Sequence, residues 1–134
     1  AELKKYIGNL RSDDILIGHS LGAQTILRFL ETQPVGAKLN KVILVAGFSK
    51  LTDFAIPLPE DKIIIKPWHE TPINYSKIKK MAKHFYAIFS DNDQLVSFKD
   101  NEKVFKKIIL FPCFPSAGMV FRYPQQQTVW LSPR

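Results

Sequence analysis

Cysteine is nearly missing from these 134 residues: Cys113 stands alone. A single thiol excludes an internal disulfide and fits a reducing, cytoplasmic compartment. Long apolar runs are missing as well. The longest clean one, Val42–Phe48, falls far short of the ~20 residues that span a bilayer. No secretory leader pattern stands at the start, so neither membrane nor export is expected. Acid is missing from the end of the chain. All 12 Asp and Glu and 14 of the 19 Lys and Arg lie in residues 1–102, while the last 32 residues hold five bases and no acid. A nearly neutral body with a basic tail lacks the clustered Lys/Arg face of a nucleic-acid binder. Histidine is scarce too: His19, His69 and His84, and none afterwards.

What is present is ordinary for a globular domain: 46% hydrophobic and 23% charged residues. The length suits one domain, and such a chain hides roughly 65–70% of its unfolded surface. It opens at Ala1 directly into a helix-like pattern, from which a fragment is expected.

Strand and helix signals alternate along residues 1–110. Leu3, Tyr6, Ile7 and Leu10 have helical spacing. Ile15-Leu16-Ile17 is a short β-branched run ending at Gly18, as a buried parallel strand would. From Ser20 to Gln33 the pattern is helical, with Ala23, Ile26, Leu27 and Leu30 on one face and Pro34 and Gly36 as the stop. Residues 42–46 form a second buried strand and 85–90 a third. The four prolines between Gly47 and Asn74 predict irregular structure there, and Tyr75–Lys83 reads as a helix whose lysines 77, 79, 80 and 83 face solvent. Ser97-Phe98-Lys99-Asp100 fits a capping box opening a helix to about Lys107, and Ile108–Leu110 is expected to begin a fourth strand. This alternation predicts α/β architecture with a parallel sheet and helices on both faces. Residues 111–134 differ. Four prolines, the Gln125–Gln127 run and the lack of a period predict an irregular, loosely packed tail.

Gly18-His19-Ser20-Leu21-Gly22 is a G-x-S-x-G pentapeptide set between a strand and a helix. That context is what a nucleophile elbow requires. The serine sits on a sharp turn, small residues at −2 and +2 avoid clashes, and the helix start behind it favours developing negative charge. The Leu21 N–H is placed to donate to an oxyanion. Such a serine needs a base and a residue that orients the base. Asp93, just beyond the third strand and followed by Leu95-Val96, is the first candidate for the acid, with Asp91 second; carboxylates there lie on the face where parallel sheets build their sites.

The base is harder to place. His19 adjoins the nucleophile but points elsewhere at an elbow. His84 begins the third strand, roughly 17 Å from its active end at ~3.3 Å per residue. His69, in the loop after the second strand, reads more simply as part of a covering loop beside Trp68.

Residues 13–107 resemble the small α/β-hydrolase serine hydrolases typified by retinoblastoma-binding protein nine and its YdeN-like bacterial relatives. The matching pieces are Ile15–Gly22, Ile26–Glu31, Val42–Gly47, the stretch Lys66–Asn74 and Phe89–Asp93. The resemblance implies a three-layer α/β-hydrolase-like domain, Ser20 as nucleophile and Asp93 as triad acid, with no metal or organic cofactor. It also implies an earlier His-Gly-type loop and a later Gly-His segment bearing the base, neither of which this sequence contains. A partial hydrolase domain over 1–110, truncated at both ends, followed by a tail unlike the family, is therefore expected. The function implied is hydrolysis of a carboxylic ester, or an amide, in a small acyl substrate through an acyl-serine. The alternative is a non-catalytic protein-interaction module on the same fold, with residues 47–74 as the partner surface.

Overall fold

The computed structural model describes residues 2–90, 93–109, 120–122 and 127–130. The order is α1 (Glu2–Ile7), β1 (Ile15–His19), α2 (Leu21–Thr32), β2 (Leu39–Val45), a 3₁₀ turn (Asp53–Ala55), α3 (Pro59–Glu70), α4 (Tyr75–Ile78), β3 (Ala82–Ser90), α5 (Phe98–Phe105), β4 (Val120–Arg122) and β5 (Gln127–Trp130). The strands form one sheet in the order β1-β2-β3-β5-β4. The first three are parallel, so the α/β class and the parallel core of the sheet are as expected.

Register explains which residues reach the core. Gly18 lies beside Leu44 and Leu44 beside Ala87; Leu16 lies beside Val42 and Val42 beside Phe85. These rows face α2, since a Cβ on Gly18 would meet Ile26 of that helix. The predicted apolar stripe of α2 is buried there, with Phe29 added; each of its Ile, Leu and Phe side chains contributes ~1.5–3 kcal/mol on burial. Phe98 and Phe105 of α5 close the same face by ring contacts to Phe89. The alternate rows are covered less: Ile15 and Ile17 are 49% and 66% exposed. The helical layer expected on that second face is not among the described residues.

Three local expectations are corrected. Residues 59–70 are helical rather than irregular. Pro59 sits in the first turn, where a missing N–H is harmless, and the Asp61 carboxylate accepts the Leu58 N–H at 3.2 Å. The far end is held from outside: Arg28 Nη2 donates to the carbonyls of Trp68 and Thr71 and its guanidinium lies over the Trp68 ring. Next, the helix predicted over 75–83 stops at Ile78, and β3 begins at Ala82 because residue 82 pairs with Leu39. Finally, Ile108 and Ile109 begin no strand. They are buried in the turn after α5, both N–H groups bonding the Phe105 carbonyl.

Part of the segment 111–134, expected to be irregular, also carries regular structure. β5 pairs antiparallel with β3 over Ala87–Ser90, and β4 pairs antiparallel with β5. Val120, Phe121, Thr128, Val129 and Trp130 are strand formers. The rest of that segment, with Leu110, lies outside the described residues.

Candidate active site

The three parallel strands end on one edge, and the candidate residues follow those ends directly. Ser20 comes after β1, Ala46 after β2, and Asp93 shortly after β3. Hydrogen bonds step across this edge: Ser20 N–H donates to Val45 O and Ala46 N–H to Ile88 O, each at 2.8 Å.

Ser20 is the residue between β1 and α2, with φ 51° and ψ −117°. That backbone region is costly for any residue with a Cβ, by ~1–3 kcal/mol. It persists because both flanks are fixed, one by the β-ladder and the other by α2, whose Ala23 N–H bonds the Ser20 carbonyl at 3.0 Å. Leu21 is the first residue of α2, and an N–H there has no carbonyl within its own helix to bond. No acidic residue stands in the first turn of α2 to offset its positive end. Gly18 is sterically required: a Cβ would lie 2.7 Å from Gly22 C and O and from Ile26 Cδ1. Gly22, expected to be small for the same reason, is not so constrained, for a Cβ there meets nothing within 4 Å.

Ala46 was missed by sequence reasoning. Its φ is 45°, so a second strained residue adjoins Ser20 at the strand ends. The signal was an Ala-Gly pair closing an apolar run. Gly47 is equally tight, since a Cβ would meet the Phe105 ring at 2.7 Å.

Asp93 is half-buried, and its Oδ1 accepts the N–H groups of Leu95 at 2.8 Å and Val96 at 3.0 Å. The carboxylate thus folds its own loop into a turn at the strand end. That loop is tied to the one after β2, where Thr52 N–H donates to Leu95 O at 3.1 Å. Asp91 lies outside the described residues.

The histidines are dispersed. His19 ends β1 and is exposed. His84 pairs with Lys41 while Val45 pairs with Ile88. This places it four residues back from the edge, or about 13 Å. His69, expected in a loop, lies in the last turn of α3, where Nε2 accepts the Leu51 N–H at 3.4 Å and the ring meets Phe48 edge-on. Burial, then the Lys50 charge, lower its pKa from the ordinary value. Among the described residues no hydrogen bond joins Ser20, Asp93 and any histidine. No group of His, Cys, Asp and Glu there could hold a metal ion, and no helix is long and apolar enough to cross a membrane.

A second feature was also missed. Asn101, on the core face of α5 and fully buried, holds the loop after β2. Its Oδ1 accepts Ser49 N–H at 2.6 Å and Lys50 N–H at 3.1 Å, and its Nδ2 donates to Lys50 O and Ser97 O at 2.9 Å. The signal was an amide in the apolar series Phe98, Asn101, Phe105.

An open, largely parallel sheet with a strained serine between a strand and the helix behind it defines an α/β-hydrolase-like protein. The model of the serine hydrolase family matches residues 1–110, and the chain belongs to that family. It is similar to YdeN of Bacillus subtilis (strain 168), 32% identical over 106 residues, which cover 79% of this chain and 52% of YdeN. The crystal structure of the B. subtilis ydeN gene product superimposes with a TM-score of 0.65 at 34% identity, over 79% of this chain and 53% of that one. The chain therefore spans about half the length of the relative it matches.

Proposed function

We propose that this chain carries the nucleophile of a serine hydrolase acting on carboxylic ester or amide bonds in a small acyl substrate. The backbone of Ser20, at φ 51° and ψ −117° between β1 and α2, is the observation that supports it most. Ser20 Oγ attacks the acyl carbon to form an acyl-serine, the Leu21 N–H donates to the oxyanion, and Asp93 orients the imidazole that takes the serine proton. Among the described residues no hydrogen bond links Ser20 or Asp93 to any of the three histidines, so turnover by the chain itself should be slow. A serine without its base is a weak nucleophile, and loss of one triad member leaves only ~10³–10⁴-fold catalysis over water.

A non-catalytic interaction module is the second reading. It is favoured by α3, which buries no residue and exposes Ile63 by 74% and Ile64 by 69%. Fluorophosphonate labelling separates the two. Slow labelling that disappears in Ser20→Ala supports the hydrolase; identical labelling of both proteins supports the interaction module. Hydrolysis of p-nitrophenyl butyrate should be near background, and a fast Ser20-dependent rate would show that a base is present within these 134 residues.

A further inference from the structure

The loop after β2 is tied to the segment after β3 at two places. At one, the buried Asn101 of α5 accepts the N–H groups of Ser49 and Lys50. At the other, Thr52 makes two bonds: its N–H donates to Leu95 O at 3.1 Å and its Oγ1 to Gln94 O at 2.5 Å. The second tie falls on the turn that carries Asp93. Leu95 is gripped from both sides, since its N–H donates to Asp93 Oδ1 while its carbonyl accepts from Thr52. Packing does not fix this part of the turn. Gln94 is exposed and Leu95 is 48% exposed, and core burial resumes only at Val96.

Sheet order gives the tie its meaning. β2 lies between β1 and β3, so Ser20 and Asp93 follow strands two steps apart, roughly 10 Å at ~4.8 Å per step. The segment from Val45 to Thr52 meets both. Val45 O accepts the Ser20 N–H, Ala46 N–H donates to Ile88 O, and Thr52 holds the Asp93 turn. Triad geometry is unforgiving, for a 1 Å misplacement can cost ~10²-fold in rate.

We propose that Thr52 is a positioning residue that holds the Asp93 carboxylate where it orients an imidazole toward Ser20. The proposal rests on the reading of Ser20 as nucleophile and Asp93 as triad acid. Thr52 acts through Gln94 and Leu95, and its hydroxyl is the part that a substitution can remove without touching the backbone bond.

The test uses the whole 134-residue chain, with Thr52→Val to delete the hydroxyl and Thr52→Ser to restore it. Hydrogen exchange at Leu95 and Val96 should quicken about three- to tenfold in Thr52→Val, the range of one neutral hydrogen bond, while Leu30 in α2 is unchanged and Thr52→Ser matches wild type. Fluorophosphonate labelling with added imidazole then reads the chemistry. The Ser20 Oγ–P bond forms as the P–F bond breaks, fluoride leaves, and imidazole takes the serine proton. The imidazole-dependent part of the rate should fall at least threefold in Thr52→Val and in Asp93→Asn, which loses the charge but keeps an acceptor, and return in Thr52→Ser. Unchanged exchange, an equal imidazole-dependent rate in Thr52→Val, or an equal loss in Thr52→Ser would overturn the role of Thr52 alone. Labelling that persists in Ser20→Ala would instead remove the hydrolase reading, and a wild-type rate indifferent to imidazole would remove Asp93 as its acid; the role of Thr52 falls with either.

Discussion

Gly18 and Gly22 touch through backbone: a methyl on Gly18 would fall 2.7 Å from the carbonyl carbon and oxygen of Gly22. The two glycines of the pentapeptide are therefore not equivalent. Backbone cannot rotate away as a side chain can, and overpacking of this kind costs ~1–3 kcal/mol. Gly18→Ala should lose about 2–3 kcal/mol in urea denaturation, together with Ser20 labelling. Gly22 lies in α2 with open space at its Cβ. Gly22→Ala should stay within about 1 kcal/mol of wild type and fall on the stabilising side, because alanine favours helix. Equal losses for the two variants would refute the asymmetry.

Asn101 should be worth more to stability than most apolar core positions. Replacing it with Leu leaves the N–H groups of Ser49 and Lys50 and the Lys50 carbonyl without their partner. Unsatisfied buried groups cost ~1–3 kcal/mol, and a network fails together. Asn101→Leu is expected to lose about 3 kcal/mol. Asn101→Asp should not restore it, because a carboxylate cannot donate to Lys50 O and Ser97 O. Hydrogen exchange should quicken first at Ser49 and Lys50; unchanged exchange there would mean the loop is held by something else.

His69 makes stability depend on pH below neutrality. Burial and Lys50 lower its folded pKa from the ordinary value, so between the two values the unfolded chain binds more protons. The contribution is fully present above the unfolded pKa, near 6.5, and is lost as pH falls through that value toward the folded one. Denaturation midpoints measured from pH 7.5 to pH 5 should decline more steeply for wild type than for His69→Gln. Parallel profiles would assign the acid sensitivity to other groups.

Local pattern was enough wherever chain neighbours decide the outcome. The elbow is legible because G-x-S-x-G follows a β-branched run, and the strained Ser20 backbone lies at the expected residue. The α2 stripe is legible for the same reason. So is the start of α5, where Ser97 Oγ accepts the Asp100 N–H at 3.4 Å.

What escaped was settled between segments distant in the chain. Helix α3 contains Pro67, yet its end is held by Arg28, some 40 residues earlier. The end of α4 is set by pairing of Ala82 with Leu39, a contact no window around residue 80 contains. Asn101 reads as a misplaced polar residue until Ser49 and Lys50 arrive to be bonded, 52 and 51 positions away. By itself the sequence determined the strand–helix alternation and the seat of Ser20, because periodicity and turn chemistry act within a few residues. Only the tertiary structure decided where the histidines stand and that Asn101 holds the loop after β2. Those features depend on distances between segments, and hydrophobic pattern carries no information about such distances.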